Sequence, residues 1–260
     1  MQFSIQYIRQ DSIMHRMDAI TKMLWIFLIG IYGFVLGSPL LLGISVLLVI
    51  LTGLVFGRIP AIMFLRVSGY LWVLGIAVGL GQLAIRRGGA VLVPLPLLPV
   101  TEQGLEWALR FAFRIMLIAY ASMVYIWTTD PRKLVLGLIH LGVPYRFGYG
   151  LYVALRFMPL IENEAEVIRQ ALTVRSVAEV SGRVEAMRRY AMPLLVAGIR
   201  RSENVAITMD SRAFGAFPTR TYVESFRWTV SGATLLLAYL LIGAALIYLG
   251  VQSGGLFQRI

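Results

Sequence analysis

Side chains that could do chemistry are few in this chain and widely scattered. The two histidines, His15 and His140, lie far apart, and neither has a second histidine or a carboxylate at metal-ligand spacing. Cysteine is absent, which excludes disulfides, thiolate nucleophiles, iron–sulfur clusters and cysteine-bound zinc. There is no Gly-rich phosphate loop of the Walker type and no G-x-S-x-G elbow, so the chain is not expected to bind or hydrolyse nucleotide. Glu162 and Glu166 form a close acidic pair on a helix, and a solvated face explains them. These absences lead us to expect no catalytic residues, no metal and no cofactor bound by this chain, and so not an enzyme.

Two groups of charged residues remain. Glu102, Glu106, Arg110 and Arg114 recur every four residues, one helical turn apart. Such a ladder could make a substrate or ion site, but Arg114 alone is deep enough in an apolar run to be expensive, and a ladder of helix-surface pairs is the simpler expectation. The second group is a repeated device: Thr173-Val174-Arg175-Ser176 and Asp210-Ser211-Arg212-Ala213-Phe214-Gly215 each close a long helical pattern. An apolar residue stands three positions before each arginine, Leu172 and Met209, on the same helical face. An arginine placed there can insert its five-donor fork into an acidic or carbonyl-lined groove of a partner, which lysine cannot reproduce. One such cation merely complements the helix dipole, worth about 0.3–1 kcal/mol. The repetition favours docking.

The elements that carry these residues are mostly apolar. Hydrophobic residues make up 58% of the chain and charged ones 14%, with a mean hydropathy of +0.78, which places it in a membrane. Apolar runs able to cross a core of about 30 Å lie near Met23 to Phe56, Val67 to Ile85, Leu105 to Trp127 and Trp228 to Val251. Gly37, Ser38 and Pro39 divide the first in two, giving about five spans. No cleavable leader is expected, because the first apolar run starts only after Lys22. From Val91 to Val100 an apolar segment broken by Pro94, Pro96 and Pro99 is too short to span and reads as an interfacial loop or re-entrant piece.

Residues 128–227 differ, carrying 14 of the 24 basic residues and nine of the 13 acidic ones. The net charge of +11 and pI of about 10.3 could suit nucleic acid, but basic residues of membrane proteins collect in cytoplasmic loops, so no nucleic-acid partner is expected. That bias puts residues 128–227 in the cytoplasm, with Arg9, Arg16, Lys22, Arg58 and Arg66 on the same side and Arg86 and Arg87 opposite. Asp130-Pro131 opens a short helix ending near His140, stopped by Gly142-Val143-Pro144. An amphipathic helix then runs from about Phe147 to Val177, with Leu151, Leu155, Met158, Ile161, Ala165, Ile168 and Leu172 stepping by threes and fours. A second runs from about Arg183 to Phe214, with Pro193 expected to bend it and Gly215 and Pro218 as stop signals. The expected fold is therefore an all-α polytopic membrane protein with about five transmembrane helices and two long cytoplasmic amphipathic helices, able to form a crossed pair or hairpin. Its regions are 1–127 with four spans, 128–227 in the cytoplasm and 228–260 with the last span.

Several motifs resemble one family, the transmembrane (T) components of energy-coupling-factor (ECF) type ABC importers, over most of the chain. The family's N-terminal signature is similar to Tyr7-Ile8, Asp11-Ser12 and His15-Arg16-Met17-Asp18-Ala19-Ile20-Thr21-Lys22, with Ala19 and Ile20 standing where Pro-Arg is usual. A Leu-Gly-Val-Pro turn appears as Leu141 to Pro144, and an Ala-Leu-Arg-Phe-x-Pro stretch as Ala154 to Pro159. Val174-Arg175-Ser176 and Ser211-Arg212-Ala213 resemble the family's two Ala-Arg-Gly-like coupling motifs through the central arginine.

The resemblance implies a non-catalytic subunit of a multi-pass cell-membrane importer for vitamins or metal ions, embedded in the lipid bilayer. Two ABC-type ATPases, carrying the ATP and magnesium, would dock on Arg175, Ser176, Arg212, Ser211 and Ala213. A small membrane-embedded substrate-binding S component would meet Leu151, Leu155, Met158, Ile161, Ile168 and Leu172. Two other classes compete. An independent secondary transporter or channel needs a polar midplane site, for which the spans offer only Arg114 and scattered glycines. A membrane-bound enzyme needs paired carboxylates or a histidine cluster at one membrane face.

Overall fold

The computed structural model describes residues 10–85, 88, 91–93, 100–174, 183–214 and 228–252. Tyr7, Ile8, Arg9, Arg86, Arg87, the three prolines at 94, 96 and 99, Arg175, Ser176, Gly215 and Pro218 lie outside the described residues. The chain divides into two compact units, Met1–Gly137 with Phe226–Ile260, and Leu138–Ser225.

The first unit is a helix bundle. A single turn, α1 (Ile13–Arg16), leads into α2 (Ala19–Val35), α3 (Pro39–Val55), α4 (Ala61–Ile85), α5 (Glu102–Thr128) and, after the second unit, α9 (Val230–Gln252). The five longer helices fall on the five apolar runs. The break at Gly37-Ser38-Pro39 is where expected, with Pro39 at the first position of α3, a place that needs no N–H. Helices α4, α5 and α9 are long and apolar enough to cross a membrane, whereas α2 and α3 are shorter apolar helices of 17 residues each. At 1.5 Å per residue those two reach about 26 Å, a little less than a hydrocarbon core. The architecture is that of an all-α polytopic membrane protein.

Three local features differ from the sequence expectation. Helix α4 begins at Ala61 rather than near Val67, so Arg66 lies on a helix rather than at its edge. The segment after α4 includes a two-stranded antiparallel pairing, β1 (Val91–Val93) with β2 (Val100–Thr101). Alternating valines favour strand over unstructured loop there. Lys22, grouped by sequence with the basic residues of the cytoplasmic side just before the first apolar run, lies in the first turn of α2 and is almost fully buried.

Helix α5 is the centre of the bundle, packing against α2, α3 and α4. Met116, Leu117, Tyr120, Ala121, Val124 and Trp127 give it a buried stripe. Gly75 and Gly79 of α4 lie against Ala112 and Ala108 of α5, the small-residue contact by which helices approach closely in lipid. The Trp127 and Trp25 rings make edge-to-face contacts with Phe64 and Tyr239 at 5.5 and 5.4 Å. The Tyr239 hydroxyl meets the Thr52 hydroxyl, joining α9 to α3. Outward side chains such as Phe27, Phe34, Tyr70, Val73 and Leu241 are exposed and apolar, as lipid contact requires.

One buried position is especially intolerant of volume. A Cβ at Gly53 would stand 2.6 Å from the Phe64 ring and 2.8 Å from a Val124 methyl, both buried and unable to swing away. Gly53→Ala is expected to destabilise the bundle by about 1–3 kcal/mol, read as a lower thermal midpoint in detergent with unchanged helix content.

Candidate coupling site

The second unit is built from the end of α6 (Pro131–His140), α7 (Tyr145–Val174) and α8 (Arg183–Ser211). Helix α6 starts as the sequence indicates, with the Asp130 carboxylate accepting from the Arg132 amide at 2.9 Å. It stops at Gly142, whose φ of +104° is a conformation that suits glycine. Pro144 then leads into α7, and Gly148 lies so close against Ile139 that no side chain fits there.

Helices α7 and α8 run antiparallel. The Phe214 ring, just past the end of α8, lies 4.5 Å from Tyr149 near the start of α7 and tilted against it, while Arg201 pairs with Glu164 further along at 3.5 Å. Arg201 also lies 5.9 Å over the Phe157 ring. The C-terminal ends of the two helices are therefore far apart. From Tyr149 to Val174, α7 rises roughly 35–40 Å at 1.5 Å per residue. Pro159 and Pro193 are both accommodated within continuous helices.

The end of α8 has a defined chemistry. The Phe214 amide donates to the Met209 carbonyl at 3.0 Å and the Ala213 amide to Asp210 at 3.0 Å, the paired bonds of a Schellman cap. Ala213 occupies the left-handed position with φ of +54°, where glycine is the ordinary choice. Phe214 supplies the apolar contact of that cap against Tyr145 and Tyr149. Ser211 turns its hydroxyl back onto the Ile207 carbonyl at 2.8 Å. Arg212 is exposed and makes no ion pair among the described residues, so its guanidinium is open to an outside acceptor. The matching motif at the end of α7, Arg175 and Ser176, lies outside the described residues.

The unit has almost no interior. Gly148 is its one buried residue among those described. Along α7, Leu155, Ile168 and Leu172 are half-buried, while Leu151, Met158 and Ile161 are exposed together with Phe147, and α8 exposes Met187, Leu195 and Ile199. Within the amphipathic stripe, part of the apolar surface is covered and part is open. Of the acidic pair, Glu166 is engaged by Arg169 at 3.0 Å, and Glu162 is exposed.

In the bundle, three members of the charged ladder are engaged within the chain. Glu106 pairs with Arg110 at 2.6 Å, and Arg110 sits 4.7 Å over Trp107. Arg114 donates from Nε to the Gly33 carbonyl at 2.6 Å, capping the last turn of α2, and is flanked by Phe34 and Phe111. The one deep arginine is thereby engaged with a helix end.

The N-terminal motif forms a buried polar tie at one end of the bundle. Ser12 shares a 2.6 Å hydrogen bond with His15 Nδ1, and the Met14 amide donates to Phe56 at the end of α3. Asp18 caps α2 by accepting from the Thr21 amide at 3.0 Å and from its hydroxyl, and it also accepts from the Thr229 amide at 3.1 Å. Lys22 donates to the Thr128 carbonyl at 2.8 Å. Burial alone would raise the Asp18 pKa, but the Thr21 hydroxyl and amide and the Thr229 amide outweigh it and hold the carboxyl below its ordinary value of 3.8. The motif had marked Asp18 and Lys22 without giving them this role. Their separation by one helical turn, each beside the start of an apolar run, is the signal that could have found them.

Residues 10–223 match the family described as cobalt transport protein, CbiQ. The chain belongs to this family of membrane transport proteins. Over nearly its whole length it is similar to energy-coupling factor transporter transmembrane proteins (EcfT). It is 27% identical to that of Bacillus selenitireducens over 255 residues, covering 93% of this chain and 94% of the relative. It is 28% identical to that of Listeria innocua over 260 residues, covering 94% and 96%. It is 30% identical to that of Limosilactobacillus fermentum over 237 residues, covering 85% and 87%.

Two outcomes follow from this geometry. Ala213→Gly removes the cost of the left-handed alanine, about 1 kcal/mol, and amide exchange at residues 212–214 is expected to slow severalfold. Because the Asp18 pKa is depressed on folding, its carboxylate contributes stability that is complete above about pH 4. That contribution disappears as pH falls through the folded pKa, and acid titration of thermal stability is expected to show the loss in the wild type and a smaller one in Asp18→Asn.

Proposed function

We propose that this chain is the energy-coupling transmembrane subunit of an ECF-type importer, passing the ATP-driven motion of two cytoplasmic ATPases to a substrate-binding S component. The antiparallel course of α7 and α8 is the observation that carries this reading. It sets the two helix ends far enough apart for two ATPases to be engaged at once, one through Arg212 and its neighbours Ser211 and Ala213, the other through Arg175 and Ser176. The rigid cap at Arg212, with its unpaired-with-carboxylate guanidinium, suits insertion into an acidic or carbonyl-lined groove.

ATP and magnesium are held by the ATPases, and this chain contributes transmission only. The S component meets the open apolar surface of α7 at Leu151, Met158 and Ile161, with Leu155, Ile168 and Leu172 beside it, and it selects the vitamin or metal ion. The subunit sits in the cell membrane with residues 128–227 in the cytoplasm, where their basic excess favours them. An apolar surface this extensive on a unit with almost no buried residues is the mark of a surface that another protein or lipid covers.

A tagged chain is purified from solubilised native membranes as wild type and as Arg175→Glu with Arg212→Glu. Wild type is expected to bring down two ATPase chains and a small membrane protein, and the double reversal to lose the ATPases at least thirtyfold, as hot-spot arginines do, while keeping the membrane protein. Wild type that retains no ATPase, or a reversal that retains both, overturns the proposal.

A further inference from the structure

Helices α3 and α9 leave a groove between them at the end of the bundle where α1 lies. Helix α3 packs on α5 and α9 packs on α2, and the Tyr239 hydroxyl joins the pair through Thr52. The groove is a cavity of about 650 Å³. Leu51 and Val55 wall it on α3, Leu235 and Ala238 on α9, and Ile13 of α1 stands at one end. Leu51, Val55 and Ile13 are exposed, although their neighbours in the bundle are buried.

The lining asks for an apolar occupant. Its hydroxyls are already engaged inside the chain, Thr52 donating to the Leu48 carbonyl at 2.6 Å, Thr234 to the Ser231 carbonyl at 3.0 Å, and Tyr239 meeting Thr52. An occupant therefore displaces no polar partner and need supply none. The length of the groove narrows the choice further. On α9 it runs from Ser231 to Ile242, a rise of about 16 Å at 1.5 Å per residue. That is half of a hydrocarbon core of about 30 Å, the depth of one leaflet. A membrane-spanning helix of a partner would use the rest of α9 as well, to Gln252, whereas an acyl chain ends where this groove ends.

At the α1 end the surroundings turn basic. Arg16, one helical turn from Ile13, is exposed and is held by both carboxylate oxygens of Asp11, at 3.2 and 3.3 Å. Arg58 follows two residues after Phe56, another lining residue, and is exposed. Its Nη1 reaches the Asp11 carbonyl at 3.5 Å, and it makes no ion pair among the described residues. Two arginines against one carboxylate leave this end positive, with the Arg58 guanidinium open to an anion. A leaflet-deep apolar slot with a guanidinium at its polar end complements a lipid with a negative headgroup.

We infer that the groove between α3 and α9 seats one acyl chain of an anionic phospholipid, from the leaflet in which α1 lies, with the lipid phosphate at Arg58. The inference needs only that the bundle lies in a membrane, and it stands or falls apart from the coupling function proposed above.

The full chain, with the companions that co-purify, is placed in nanodiscs carrying a trace of phosphatidylglycerol or of phosphatidylcholine with a photoactivatable diazirine midway along one acyl chain. After illumination the labelled peptides are mapped by mass spectrometry. The phosphatidylglycerol probe is expected to label residues 48–56 and 231–242 about fivefold more than the phosphatidylcholine probe, the preference that one arginine near a membrane surface confers. Label on the outward face of α4, at Tyr70 and Val73, reports bulk lipid and is expected to be equal for the two probes. Arg58→Gln is expected to bring the groove ratio to about one without changing helix content or the phosphatidylcholine label. Ala238→Trp, which fills the slot, lowers groove label from both probes severalfold and leaves α4 unchanged. Equal groove labelling by the two probes in the wild type, which is bulk lipid only, overturns the site, and so does a preference that Arg58→Gln leaves intact. A groove that stays unlabelled while α4 is labelled overturns it as well, because a protein segment then fills the space.

Discussion

A helix in lipid satisfies its own backbone everywhere except at its ends, and in this bundle the ends are where the remaining polar groups are brought together. Five elements meet at one end: α1, the start of α2, the end of α3, the end of α5 and the approach to α9. Asp18 satisfies the first turn of α2 and an amide before α9, and Lys22 satisfies a carbonyl at the end of α5. At the end of α2, Arg114 does the corresponding work on the Gly33 carbonyl. Asp18, Lys22 and Arg114 are thus committed to helix ends, and Arg110 to the neighbouring Glu106 carboxylate. Such commitments fix register and orientation where apolar packing alone tolerates sliding.

The second unit follows the opposite rule. Its helices are amphipathic, yet pairing α7 with α8 leaves almost nothing buried, because two helices cannot enclose a core. What holds them is local: the Phe214 ring on Tyr145 and Tyr149, the Glu164–Arg201 pair and the Gly148–Ile139 contact. These are modest interactions at a partly exposed surface, sufficient to fix the relative course of two helices and no more.

Much of this was legible in the sequence. The five apolar runs, the break before Pro39, the short helix after Asp130 and the stop at Gly142 depend on composition and on residues with special backbone demands, and these signals are local. The start of α4 was missed because Arg66 shortens the apolar run without breaking the helix, and the strand pair was masked by three prolines. The burial of Lys22 is not legible locally because its acceptor, Thr128, is 106 residues away. In the second unit, the repeated setting singles out Arg212, but the cap around it is not legible in the sequence. Ala213 in a left-handed conformation runs against its own propensity, and only the surrounding bonds reveal it.

The open apolar flank of α7 and α8 also bears on how the protein lives in a cell. A surface of this kind in water self-associates or is recognised by chaperones and proteases unless something shields it. A copy made in excess of its companions would be an orphan, cleared faster than one in an assembly. Abundance would then track stoichiometry rather than synthesis, and the same exposed leucines and methionines that serve contact would act as a degradation signal whenever contact is missing.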